Sequence, residues 1–363
     1  MKLQVTQENL SKALSTVARV ATNRGTLPVL ANVLIKTVDN RLTISATNLD
    51  IAITQFIGSK VSEQGEITVP ARLLQDFVSS LPHDVINLKL DGFKLHITCG
   101  SYSSSINGIS AEDFPVMPAI SNKQTWNMTN KVCKDALQQI VVAASADDAR
   151  PVLTGVYIHS FEGKLYMVAT DSYRLAEKRV GESKQDMSLL IPASAMQDVL
   201  RIVSDSDNDV EVSYDDQQVM FRIGDVELVT RLIDGNYPDY RKLIPSTFTN
   251  TAHIDRQEFT RITKVASLFA RESAGSVVLS VDEADGNLQV KSVASQLGEN
   301  TSKATAKITG DGSITLNSRY LLDALSVMKG NEILFQFNGK LEPSLIQDTS
   351  NKDYNHVIMP LKS

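Results

Sequence analysis

Val69-Pro70-Ala71-Arg72-Leu73-Leu74-Gln75-Asp76 carries the pattern that decides the fold. A strand ends at the proline and a helix opens on the next residue, a step proline permits because its fixed φ suits a first helical turn. The same step returns as Ile191-Pro192-Ala193-Ser194-Ala195-Met196-Gln197-Asp198, and again as Leu316-Asn317-Ser318-Arg319-Tyr320-Leu321-Leu322-Asp323. The spacing is roughly 120 residues, a period that marks an internal repeat.

Upstream of each step stands a second signature. Thr26-Leu27-Pro28-Val29-Leu30, running on through Arg41-Leu42-Thr43-Ile44-Ser45-Ala46-Thr47-Asn48-Leu49-Asp50, reads as a helix followed by two strands. It recurs from Ala149-Arg150-Pro151-Val152-Leu153 through Lys164 to Asp171, and in worn form from Ser276 through Asn287 to Val293. Behind each step come strands with period-2 alternation, Ile86 to Ile97, Val210 to Ile223 and Ile333 to Gln347, the pattern of a half-buried antiparallel sheet. Each copy begins with a helical stretch, expected over Gln7 to Ala21, Thr129 to Ser145 and Asp255 to Arg271, and Asp255 and Glu258 have capping-box spacing. The expectation is an α+β chain of three tandem domains, 1–121, 122–249 and 250–363, each with two helices, antiparallel sheets and about eight strands.

With 363 residues, 42% of them hydrophobic, the chain can bury several cores. No run approaches the roughly 18 apolar residues of a membrane span and no apolar segment follows a basic start, so a cytoplasmic protein is expected. Cys99 and Cys133 lack the spacing of a zinc site or a disulfide framework and read as packing residues; no metal and no cofactor is expected. A net charge of −6 speaks against nucleic acid, but the distribution outweighs the sum. Acidic residues gather in turn-like clusters, Asp205 to Asp209, Asp215-Asp216 and Asp282 to Asp285. Basic residues fall on the helices of all three copies: Lys12, Arg19, Arg72, Lys131, Lys134, Arg201, Arg256, Arg261, Lys264, Arg319 and Lys329.

Geometry then sets a stoichiometry. Six helices about 10 Å across, standing side by side in a circle, leave roughly 9 Å open, too little for a duplex of roughly 20 Å. Twelve helices from two chains leave roughly 28 Å. A head-to-tail dimeric ring, first repeat against third and closed by edge strands, fits double-stranded DNA.

The whole chain resembles the bacterial DNA polymerase III β subunits, the replicative sliding clamps. The resemblance rests on Thr26-Leu27-Pro28-Val29-Leu30, Thr68-Val69-Pro70-Ala71-Arg72, Ala169-Thr170-Asp171-Ser172-Tyr173-Arg174-Leu175-Ala176, Asp234-Gly235-Asn236-Tyr237-Pro238-Asp239-Tyr240-Arg241 and the terminal Val357-Ile358-Met359-Pro360-Leu361. It implies a DNA-clamp fold in triplicate, a homodimeric ring that slides on DNA without reading sequence, and tethering of the polymerase. It implies DNA contact at Arg24, Arg72 and Arg150, because phosphate contacts position without specifying. It implies a partner-peptide pocket built from Leu153, Thr170, Ser172, Tyr173, Arg174, Leu175, Pro238, Lys242, Leu243, Val357, Met359, Pro360 and Leu361. Such a pocket serves the polymerase α subunit, the clamp loader and repair polymerases through a short linear motif. Lys242 stands where many relatives have arginine, and Pro151 and Val152 replace aromatics seen in some. Ile106, Leu268 and Phe269 match interface positions.

Three function classes compete: a clamp, a protein-only repeat scaffold and a hydrolase with dispersed carboxylates. The sequence holds no Walker loop, nucleophile elbow, His-Glu-x-x-His or dinucleotide fingerprint. Its five histidines, His83, His96, His159, His253 and His356, stand singly and read as surface or strand packing. Asp171 beside Arg174 matches Asn48 and Asp50 of the first copy, which favours a turn over a catalytic carboxylate.

Overall fold

The computed structural model describes residues 1–21, 27–115, 120–121, 124–183, 185–294 and 298–362. Among these are six α-helices: α1 (Gln7–Val17), α2 (Ala71–Ser79), α3 (Asn130–Ile140), α4 (Ala193–Ser204), α5 (Arg256–Phe269) and α6 (Ser318–Val327). The three strand-to-helix steps are as expected: Glu66–Pro70 feeds α2, Ser188–Pro192 feeds α4 and Gly312–Asn317 feeds α6. Asn317 caps α6 by accepting from the amides of Arg319 and Tyr320.

The initial helices are shorter than their apolar periodicity suggests. α1 stops at Val17, with Ala18 as its C-cap. α3 ends at Ile140 and tightens into the single 3₁₀ turn Val141–Ala143. α5 starts at Arg256 because Asp255 is its N-cap, its carboxylate accepting from the Glu258 amide at 2.9 Å. The helices expected at the Leu-Pro-Val and Arg-Pro-Val segments are also single 3₁₀ turns, Pro28–Ala31 and Pro151–Thr154. A strand begins immediately after each, at Asn32 and Gly155, so no second turn can form.

Two compact units make up the chain: Met1–Cys133 with Asp198–Leu232, and Lys134–Gln197 with Ile233–Ser363. The first holds a five-stranded sheet in the order Lys60–Glu63, Lys2–Thr6, Val85–Asp91, Lys94–Cys99, Tyr102–Asn107. It also holds an eight-stranded sheet, in which the run Glu66–Pro70, Asn32–Val38, Arg41–Thr47, Ile51–Gly58 continues through Val226–Arg231, Gln218–Ile223, Val210–Tyr214 and Gln124–Met128. The second unit holds a twelve-stranded sheet. There Ser188–Pro192, Gly155–Phe161, Lys164–Thr170, Arg174–Glu182 continues through Asn351–Ile358, Ser344–Asp348, Glu332–Phe337, Asn250–Asp255, and ends in Gly298–Thr309, Asn287–Ala294, Ser276–Asp282, Gly312–Asn317.

One four-strand order thus occurs three times, and the fourth strand of a run meets the last strand of the next repeat at two junctions. Ile51–Gly58 pairs with Val226–Arg231, and Arg174–Glu182 pairs with Asn351–Ile358. The corresponding elements of a third junction are unpaired. Among the described residues Tyr102–Asn107 has a ladder only to Lys94–Cys99, and residues 298–305 pair only with Asn287–Ala294.

Each helix buries one stripe on a sheet. α1 buries Leu10, Ala13, Leu14 and Val17, and α5 buries Phe259, Ile262 and Ala266, with Phe259 5.8 Å from the Phe335 ring. Each Leu, Val, Ile or Phe among them is worth about 1.5–3 kcal/mol of burial, and each Ala less. Both cysteines are buried and free, and burial pushes the Cys133 thiol up to about 12, which makes it inert at neutral pH. Among the described residues no helix is long and apolar enough to cross a membrane, and no group of His, Cys, Asp or Glu could hold a metal.

Candidate functional site

The segment Thr170 to Arg174 is a tight turn held by its own side chains. Thr170 Oγ1–H donates to the Arg174 carbonyl at 2.6 Å and accepts from the Ser172 amide at 3.1 Å. Asp171 Oδ1 accepts from the amides of Tyr173 and Arg174, each at 2.9 Å. Ser172 takes φ +76°, a left-handed conformation that this bonding sustains. The first repeat builds the same turn: Thr47 Oγ1–H donates to Ile51 O at 3.0 Å, Asn48 Oδ1 accepts from the amides of Asp50 and Ile51, and Leu49 has φ +81°. Asp171 is therefore a turn-former, as its match to Asn48 suggests.

Beyond the turn the two copies diverge. Arg174 Nε donates to Asp171 Oδ2 at 3.1 Å, Nη1 donates to Asp323 of α6 at 2.5 Å, and its guanidinium carbon lies 4.5 Å from the centre of the Tyr320 ring. Only about 9% exposed, the arginine serves as a wall tied to α6 rather than as a free guanidinium. Sequence reasoning missed Asp323 and Tyr320. The signal was present in the aspartate that ends each strand-to-helix motif at Asp76, Asp198 and Asp323.

The terminal strand closes the same place. Leu175 stands opposite Val357, the Met359 amide donates to Tyr173 O at 2.8 Å, and the Leu361 amide donates to Thr315 O at 2.9 Å. Leu175 and Val357 pack with Val168, Tyr240 and Leu345 in one buried cluster. Over it runs the segment from Asp234 to Leu243. Gly235 has φ +132°, and a Cβ there would lie 2.6 Å from the Val152 side chain, so only glycine lets this segment settle on the Pro151–Thr154 turn. Tyr237 stacks on Tyr157, 4.8 Å between centres. Arg241 lies over Phe161 at 4.0 Å and Tyr166 at 4.3 Å. That anchorage leaves Leu243 and Tyr173 exposed at 43% and 61%, with Pro238 and Lys242 also exposed and Met359, Pro360 and Leu361 half-buried. Lys242 is engaged with Asp239 at 2.7 Å. Leu153 and Thr170 are buried beneath.

Two of the three expected DNA contacts fall among the described residues. Arg72 is exposed on the first turn of α2. Arg24 lies outside the described residues. Arg150 is exposed, but its Nη1 donates to Ser172 Oγ at 3.1 Å, which brings it to the Thr170 to Arg174 turn. The helix cations Arg201 and Arg261 are partly neutralised by Asp198 and Glu258, and Lys329, which lies past the end of α6 at Val327 rather than on it as expected, pairs with Asp135. Lys12, Lys131, Lys264 and Arg319 are exposed on their helices, whereas Arg19, expected on the first helix, is exposed in the turn past the end of α1 at Val17. Of the expected interface residues, Leu268 is half exposed and Phe269 half-buried, while Ile106 is buried against its own sheet opposite Leu95.

Comparison with known proteins gives the family. The N-terminal, central and C-terminal domain families of the DNA polymerase III beta subunit match residues 1–118, 127–239 and 241–362. The chain is 31% identical over 388 residues to the beta sliding clamp of Synechocystis sp., covering 100% of this chain and 99% of that protein. It is 27% identical over 376 residues to that of Staphylococcus aureus, with full coverage of both. Among solved structures, the DNA polymerase sliding clamp of Bacillus subtilis superposes with a TM-score of 0.95 at 27% identity over 100% of this chain and 99% of that one. The Pseudomonas aeruginosa clamp bound to griselimycin does so with a TM-score of 0.95 at 25% identity over all of both chains. Triplicate strand order, strand-to-helix steps and family matches over nearly every residue agree: the chain belongs to the beta sliding clamps, the beta subunits of DNA polymerase III.

Proposed function

We propose that two copies of this chain close head to tail into a ring around duplex DNA, and that partners dock on it through a short linear motif. As a family member the chain is a non-catalytic processivity factor of DNA polymerase III, with DNA and polymerase as partners. The observation that carries the ring is the third junction. Two junctions between repeats are sealed by strand pairing, while Tyr102–Asn107 and residues 298–305 each keep one ladder edge free. A free edge demands a partner. Pairing the first repeat of one copy with the third of another supplies it, with Leu268, Phe269 and the strand carrying Ile106 at the contact.

In this reading the domains divide near residues 121 and 249, the exposed helix cations with Arg24, Arg72 and Arg150 face phosphates, and the protein works in the cytoplasm. The peptide pocket runs from Thr170 to Leu175, past Pro238 and Leu243, to Val357 and Leu361, with Leu153 as floor. The exposed Tyr173 and Leu243 with the half-buried Met359 suit hydrophobic side chains, and methionine adapts to several ligands, which fits use by the clamp loader and repair polymerases as well as the polymerase. Griselimycin-bound relatives support a ligand site on this fold.

The test loads purified protein onto nicked circular DNA with a clamp loader and measures retention before and after the DNA is linearised. Loss on linearisation is the expected outcome. Equal retention on both forms means electrostatic binding without encirclement, and no retention on either despite a competent loader favours the protein-only scaffold.

A further inference from the structure

Beside the pocket, on the same sheet face, lies a crevice of about 680 Å³. Strand pairing fixes its floor. His253 stands opposite Leu334, and Leu334 opposite Gln347; in the next row Gln336 stands opposite Leu345, and Leu345 opposite Val357. Alternation turns Ile333, Phe335 and Phe337 into the core and leaves Leu334 and Gln336 half-buried on the open face. Leu345 belongs both to the crevice and to the cluster beneath the pocket, and Ile244 and Phe248 pack against that cluster while lining the crevice. The two depressions are therefore contiguous within one unit, divided only by the segment that carries Leu243.

The charge inventory says what fits. One carboxylate lines the crevice, Asp348, and its oxygens already accept from the amides of Lys329, Gly330 and Ser350 and from the Ser350 hydroxyl. His253 faces Glu332 at 3.4 Å. Lys352 is exposed and, among the described residues, has no ion-pair partner, so it is the group with charge left to offer. Leu334 and Leu345 on a mixed floor, an uncommitted Gln336 amide and a free ammonium at the rim together match an extended chain carrying an apolar side chain next to a carboxylate.

We infer that this crevice is a second docking station for the polymerase subunit, receiving an acidic stretch with an apolar anchor that flanks the segment held in the pocket. The inference rests on the pocket reading above. Occupying both stations makes the second contact intramolecular, so affinity rises without any change in the pocket itself.

The experiment measures binding of the cognate DNA polymerase III α subunit and of griselimycin to the full-length protein, as wild type, Lys352→Glu and Lys352→Arg. Lys352 is exposed and outside the pocket, so the variants keep the fold. The charge reversal is expected to weaken the α subunit about 2- to 20-fold, because it removes one exposed ion pair and adds a like-charge repulsion. Griselimycin affinity should stay within about 2-fold, Lys352→Arg should restore α binding, and the wild-type advantage should shrink as salt rises. Unchanged α affinity in Lys352→Glu overturns the inference, as does an equal loss for griselimycin, which marks a local distortion. Failure of wild type to bind either probe removes the pocket reading, and the second station with it.

Discussion

Arg174 Nη1 lies 2.5 Å from Asp323 Oδ2, a bond between residues 149 apart in sequence that ties the strand Arg174–Glu182 to α6. Both partners are shielded, with side-chain exposures of 10% and 30%. Asp323→Ala strands half of that guanidinium's bonding at the edge of the proposed pocket. It is expected to cost about 1–3 kcal/mol of stability, read by urea denaturation, together with a loss of griselimycin affinity. Asp323→Asn should recover part of the stability, since the amide oxygen still accepts. Stability within error of wild type for Asp323→Ala shows that the pair is idle.

Gly235→Ala should destabilise the second unit by about 1–3 kcal/mol, because the φ is left-handed and the new methyl meets Val152. Val152→Ala in the same chain should return part of the loss by removing the obstacle, and a double-mutant cycle by thermal unfolding measures it. An additive double mutant would leave backbone strain as the whole cause.

His356 is fully buried, and its Nδ1 lies 2.7 Å from the Tyr354 hydroxyl. Burial, with the nearby Arg174 charge adding to it, lowers its pKa from 6.5 to about 3. The folded protein thus keeps it neutral while the unfolded chain takes up a proton below pH 6.5. Its contribution is intact above that value and drains away as pH falls toward 3. Urea midpoints measured between about pH 7.5 and about pH 4.5 should fall less steeply in His356→Gln than in wild type, and parallel slopes would falsify the assignment.

Arg72→Ala should reduce the salt slope of DNA binding, log K against log salt, by about one, the effect of one lost phosphate contact. Arg150→Ala separates two roles. If its bond to Ser172 reflects its main task, griselimycin binding weakens while the salt slope stays unchanged; a lower slope instead assigns it to DNA.

The triplication was legible because it is written in short-range chemistry: a proline or asparagine closing a strand, an aspartate in the second helical turn, and a threonine with Asn48 or Asp171 forming a turn from its own atoms. Helix lengths were less so. Apolar periodicity runs on past Val17 and Ile140, but the chain departs there into turns that only packing selects. Of the proposed peptide site, the exposed residues fall in recognisable segments. Their supports, Tyr320 and Asp323 behind Arg174 and the rings of Phe161 and Tyr166 around Arg241, come from distant strands and a helix, and no local pattern announces such pairings.

Two seams between repeats are stitched by a backbone that also runs through them, so they cannot part without tearing out a strand. The edges at Tyr102–Asn107 and residues 298–305 have no such thread. In the proposed assembly these are the doors. Such a ring would admit a closed DNA circle by releasing one ladder and its side-chain contacts, leaving every core intact, and two identical doors would make either one sufficient.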